Sequence, residues 1–211
     1  MKWLPPRVAT LKDGRQVLLR PIKSGDLEGI WANFNEVVAE REYLPVMTPV
    51  LTKYEREAWY EDLKLRGELC VVAEVASRES RPVSSLGTPP ASHHVAGQCT
   101  IENSEWEAAA HVGLLGVIVR SDYRDVGLGG QLVRYALENA ALAGKKKINL
   151  AVFATNARAL ALYEKLGFRR VGLRRDQYKV GPGRYVDEVL MDYDYDASDL
   201  DCESNATRSE T

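Results

Sequence analysis

The chain has 211 residues, 45% of them hydrophobic and 27% charged, and its formal net charge is −2; that suits one soluble domain around one core and gives no basic field for nucleic acid. No apolar run approaches the length of a membrane span, and residues 1–10 lack the apolar centre of a signal peptide. Three widely spaced cysteines, Cys70, Cys99 and Cys202, make neither a disulfide framework nor a metal-ligand pattern, so a cytoplasmic setting with no metal and no membrane partner is expected.

The first predicted strand covers 16–22, where Val17, Leu19 and Pro21 alternate with Leu18 and Arg20 behind the Asp13-Gly14 turn. Ser24 reads as a helix cap ahead of Leu27, Ile30, Trp31 and Phe34 at helical spacing. Pro45 and Pro49 interrupt the chain, and a second helix is expected over 52–66, ended by Gly67. Residues 69–76 and 95–101 read as paired buried strands. Between them, 77–94 is a Ser- and Pro-rich insertion, with His93 and His94 expected as exposed loop residues. A further apolar strand is expected over 111–119.

The second half alternates: helix over 128–143 stopped by Gly144, strand over 148–153, helix over 156–166 stopped by Gly167, a short strand over 168–173 and a last strand over 185–195. Such alternation requires crossovers, so part of the sheet is parallel. The hairpins at both ends suggest antiparallel pairs. The predicted class is α/β (α+β): a mixed, mostly antiparallel central sheet with helices on both faces. Residues 1–196 form the single domain, and the polar, acidic 197–211 segment is expected to be a disordered tail.

The chemistry is concentrated in 117–132, Val-Ile-Val-Arg-Ser-Asp-Tyr-Arg-Asp-Val-Gly-Leu-Gly-Gly-Gln-Leu. A buried strand leads through a turn into a glycine-rich helix start, which offers free N–H groups and a partial positive charge to an anion. A P-loop is excluded because Gln131 and Leu132 follow Gly130 where Lys and Ser or Thr belong, and the dinucleotide fingerprint is excluded because Leu132 stands where its third glycine would be. Three glycines in four residues, Gly127, Gly129 and Gly130, cost backbone entropy at a helix start, which favours a functional reason for them.

The remaining pattern, Arg124-x-x-Gly127-x-Gly129, resembles the pyrophosphate-binding motif of the GNAT superfamily of acetyltransferases. The run Asn156-Ala157-Arg158-Ala159-Leu160-Ala161-Leu162-Tyr163-Glu164-Lys165-Leu166-Gly167-Phe168 resembles that family's second signature. The resemblance is strong over 111–171. It implies an N-acetyltransferase that uses acetyl-coenzyme A as co-substrate and acts by direct attack of an amine in a ternary complex. In similar enzymes the strand before the loop splays from its neighbour, so the pantetheine arm would lie along Val117, Ile118 and Val119. The pyrophosphate would rest on Arg124, Asp125, Val126, Gly127, Leu128, Gly129 and Gly130. Asn156 would hydrogen-bond the cofactor arm, and Tyr163 would be the acid that protonates the departing thiolate. Lys145, Lys146 and Lys147 could reach the 3′-phosphate.

Many relatives carry a carboxylate on the strand ending in the loop, where this chain has Leu114. Glu102 and His111 are the alternative bases, with a water relay equally open; Glu102 is taken as the candidate. The acceptor is an amine of a peptide, a protein or a small molecule, and Glu36, Glu40, Glu42 and Glu55 would suit a cationic one. A homodimer is compatible with the resemblance. The alternative function is a non-catalytic acyl-CoA-binding regulatory module, for which Leu114 is the support.

Overall fold

The computed structural model describes residues 2–75 and 94–196. The 77–93 part of the insertion, with His93, and the 197–211 tail, with Cys202, lie outside the described residues. Eight strands form one sheet in the order β1-β2-β3-β4-β5-β6-β8-β7. They are β1 (Arg7–Thr10), β2 (Gln16–Pro21), β3 (Leu69–Val75), β4 (Val95–Asn103), β5 (Val112–Val119), β6 (Lys147–Phe153), β7 (Arg169–Gly181) and β8 (Arg184–Asp194). The helices are α1 (Leu27–Glu40), α2 (Lys53–Leu65), α3 (Leu128–Leu142) and α4 (Ala157–Lys165). The mixed, mostly antiparallel class is as expected: β5 with β6 is the parallel pair among the described strands.

Period-two alternation explains how both faces are covered. On β3, Val71 and Ala73 join the core with Leu128, Leu132 and Ala136 of α3, whereas Val72 packs with Ile30 and Trp31 of α1. Both faces of β3 are therefore apolar, and the strand is a continuous hydrophobic run rather than an alternating one.

Three sequence expectations need correction, and one strand is additional. Strand β1 is absent from the sequence reading because only Ala9 of its four residues is buried. Ser24 caps nothing: it lies in a 3-10 turn, Ser24–Asp26, whose closing contact is Asp26 Oδ2 accepting from the Lys23 main-chain N–H at 2.7 Å. The short strand expected at 168–173 is β7, which continues to Gly181 because its main chain pairs with β8 through three register shifts, a bond that side-chain polarity does not report. His94 is not a plain loop residue, since its Nε2 stands 2.8 Å from Asp26 Oδ1.

That contact belongs to a buried charge network. Arg20 donates from Nη1 and Nη2 to Asp26 at 2.7 and 2.8 Å, and from Nε to Glu74 at 2.5 Å. Arg20 and Asp26 are both buried. They fix the chain between β2 and α1, and so set where α1 lies on the sheet. Burial acts to raise the Asp26 carboxyl, but the hydrogen bonds from Arg20, His94 and the Lys23 main chain outweigh it and hold the group below its ordinary range. A carboxyl lowered in the folded state stabilises the fold above its unfolded pKa, and that contribution is lost as pH falls through the folded value. Asp26→Asn should therefore cost about 3 kcal/mol at neutral pH by removing the buried charge partner of Arg20, which keeps only the partly exposed Glu74. Urea unfolding at stepped pH should also show a smaller acid loss for the variant than for the parent chain.

Candidate active site

β5 is held by β4 along its length, from Gly97↔Val119 to Asn103↔Gly113. β6 is held by β8 just as fully, from Lys147↔Asp194 to Phe153↔Glu188. Between them, β5 and β6 pair at Val112↔Lys147, Gly113↔Ile148 and Leu114↔Asn149, and no further. Beyond Leu114 the sheet opens into a wedge. The direction of the main-chain groups along it follows from one bond, Arg120 N–H to Ala96 O at 3.0 Å. Stepping by two in an antiparallel ladder, Ile118, Gly116 and Leu114 point their N–H and C=O groups at β4, so those of Val119, Val117 and Leu115 point toward the wedge.

The wedge holds a cavity of about 350 Å³, lined by Val117, Ile118, Val119, Arg124, Asp125, Gly127, Gly129, Gly130, Asn156 and Tyr163 among others. The structure thus brings together nearly all the residues singled out in the sequence. Val126 and Leu128 are not on the lining: Leu128 is core, and Val126 O accepts from the Lys12 N–H at 3.0 Å.

At its outer end the loop turns through two left-handed residues, Asp125 (φ 63°) and Gly127 (φ 92°). Such alternation gathers successive N–H groups into a concave anion nest. The first α3 bond is Gln131 N–H to Gly127 O, so the N–H groups of Leu128, Gly129 and Gly130 precede the helical ladder. A β-carbon on Gly129 would stand 3.3 Å from Leu162 Cδ2, so α3 and α4 pack closely here and a larger residue would push the Leu162 side chain aside.

Arg124 donates to both Glu40 oxygens, at 2.6 and 2.5 Å, and from Nε to Val119 O at 3.1 Å. Ser121 Oγ donates to Glu36 at 2.5 Å. Tyr43 lies under two guanidiniums, 5.1 Å from Arg124 and 5.6 Å from Arg158. These contacts tie α1 and the chain after it to the loop. They also correct the acidic-face expectation: Glu36 and Glu40 are committed to the loop, and Glu55 closes the capping box of α2 with Thr52.

Asn156 is the N-cap of α4, its Oδ1 accepting from Ala159 N–H at 3.1 Å. Tyr163 lies two turns on, 7% exposed, against Phe168 at 5.6 Å. Burial, with a smaller contribution from Cys99, pushes its phenol well above the ordinary range, so it carries its proton throughout the neutral range.

Glu102 lies outside the lining. It stands directly across from Leu114, on the sheet face that Leu114 and Gly116 share. Its side chain is exposed, yet nearby protein groups partly desolvate the carboxyl and this, followed by the charge of Glu68, raises it against the opposing effect of Arg66. His111 and the three lysines are at the other end of β5. Lys145 is buried and donates to Ala110 O and Val112 O at 2.8 and 3.0 Å, and Lys147 pairs with Asp192. Seven residues of strand, roughly 23 Å, separate Val112 from the loop, which removes these lysines from the phosphate role. Lys12, Tyr43, Arg158 and Leu162 also line the cavity. Arg158 and Leu162 stand inside the second signature, whereas Lys12 and Tyr43 lie in no recognised motif.

The model of the Acetyltransferase (GNAT) family matches residues 38–168. The chain belongs to the GNAT family. It is an acetyl-CoA-dependent N-acetyltransferase. It is 29% identical over 178 residues to an L-methionine sulfoximine/L-methionine sulfone acetyltransferase of Pseudomonas aeruginosa, a match covering 84% of this chain and 94% of that one. It is 37% identical over 78 residues to the [ribosomal protein bS18]-alanine N-acetyltransferase of Escherichia coli, covering 37% and 52%. The fold is that of a GNAT superfamily phosphinothricin acetyltransferase from Sinorhizobium meliloti solved in complex with acetyl-CoA, with TM-score 0.72 and 19% identity over 84% of this chain and 88% of that one. Among the described residues no helix is long and apolar enough to cross a membrane.

Proposed function

We propose that this enzyme acetylates the amino group of a small amino-acid-like acceptor by direct attack on acetyl-CoA held in the β5–β6 wedge. The observation that carries the cofactor placement is the wedge itself, one strand edge with unpaired main-chain groups running into an anion nest. An extended amide-bearing arm complements such an edge, and a pyrophosphate complements the nest. The acceptor class is supported by the length of the matches. The sulfoximine acetyltransferase aligns across nearly its whole length, whereas the ribosomal-protein enzyme aligns over 78 residues, about half of its own chain.

The acceptor ammonium gives a proton through water to Glu102, and the free amine attacks the thioester carbonyl carbon. The oxyanion takes a hydrogen bond from a main-chain N–H of the wedge edge, at Val117. Collapse breaks the carbon–sulfur bond, the thiolate takes the Tyr163 proton, and the extra proton on the newly acylated nitrogen returns the phenolate to its neutral form, leaving the amide and free coenzyme A.

The direct test incubates the protein and acetyl-CoA with L-methionine sulfone, L-methionine sulfoximine, other L-amino acids, polyamines and an N-terminal alanine peptide, and reads products by mass spectrometry. An adduct of one acetyl group on a small amino acid's nitrogen is expected; acetylation of the peptide alone would contradict the acceptor class. Tyr163→Phe should lower kcat at least about tenfold with little change in acetyl-CoA affinity. Because the Glu102 carboxyl is raised, turnover should fall as pH drops through a value above the ordinary glutamate range, and Glu102→Gln should lower kcat and abolish that acid limb.

A further inference from the structure

We infer that Lys12, in the turn between β1 and β2, is a binding residue for the pyrophosphate of acetyl-CoA, an inference that rests on the cofactor placement above. The nest alone supplies main-chain dipoles. A doubly charged pyrophosphate brought to the rim of a protein also calls for a mobile cation. Three cationic side chains line this cavity, Lys12, Arg124 and Arg158. Arg124 is held by Glu40 and Val119 O, and Arg158 by Asp125 at 3.2 Å. Lys12 makes no side-chain hydrogen bond or ion pair among the described residues, and its acidic neighbour Asp13 is engaged by Arg15.

The placement of Lys12 is fixed by the fold. Its main-chain N–H donates to Val126 O at 3.0 Å, and the turn is closed by Gly14 N–H to Leu11 O at 3.0 Å. The lysine stem lies over the N-cap of α3: a β-carbon on Gly127 would stand 3.8 Å from both Lys12 Cγ and Cε. The ammonium is therefore carried beside the residue at which the left-handed turn ends and the free N–H groups of α3 begin. This also gives β1 and its turn, at the far edge of the sheet in strand order, a part in cofactor binding.

The test uses the full chain with Lys12→Met, which keeps the stem and the main-chain bond but removes the charge, and Lys12→Arg, which restores the charge. Steady-state kinetics on acetyl-CoA and on 3′-dephospho-acetyl-CoA should show the Lys12→Met KM raised about 5- to 10-fold for both thioesters with kcat unchanged. The arginine variant should recover most of the loss, and the ratio should shrink in high salt. Melting temperatures should be equal. An unchanged KM would overturn the inference. A loss seen with acetyl-CoA but not with the dephospho thioester would also overturn it, placing Lys12 at the 3′-phosphate instead. If the parent chain itself binds no acetyl-CoA, the cofactor placement fails, and that result is separate from any difference among the variants.

Discussion

The site depends on the failure of two neighbouring strands to stay paired. β5 and β6 share three residue pairs and then part, because each is bound more fully to its other neighbour, β5 to β4 and β6 to β8. Sheet twist carries the two halves in different directions once the ladder ends. Leu150 and Val152 of β6, with Leu160 and Tyr163 of α4, are packed into the main core, so the wedge is braced from within rather than collapsed. The main-chain groups of Val117 and Val119 that face the opening are left for a ligand, apart from Val119 O, which Arg124 already uses.

The loop at the end of β5 extends this edge into an anion nest, and contacts from elsewhere in the chain hold the nest in shape. Glu40, Glu36 and Tyr43 clasp it from the α1 side, and the Lys12 main chain clasps it from the β1–β2 turn. The position of α1 depends in turn on Arg20 and Asp26. A buried ion pair adds little net stability over an apolar replacement, but it fixes geometry. Here it sets the helix whose acidic side chains orient the loop arginine. The glycine loop and α1 are thus one mechanical unit.

How much of this was legible follows from what each segment exposes. α3, α4, β5 and the glycine loop carry strong periodicity and two motifs, and they stand within a residue or two of where the sequence puts them. β7 was legible only at its start, because an edge strand of Arg, Lys and Asp has no buried face to advertise and is held by main-chain bonds to β8. The alternation in the second half implied crossovers. Yet β8 inserts between β6 and β7, so β6 and β7 never pair, which no local pattern encodes. Glu36, Glu40 and His94 look like ordinary surface groups in sequence; their partners Ser121, Arg124 and Asp26 lie tens of positions away. Lys12 was missed for the same reason: its role arises from the packing of one turn on another.

Whether acetyl-CoA lies along the β5 edge and in the nest is read most directly by amide hydrogen exchange with and without acetyl-CoA. New protection is expected at the Val117 N–H and at the N–H groups of 125–130, with Ile118 unchanged because its N–H already bonds to β4. Protection confined to the opposite end of the sheet, around the hollow lined by Trp106 and Lys145, with none at Val117 or the loop, would contradict that placement.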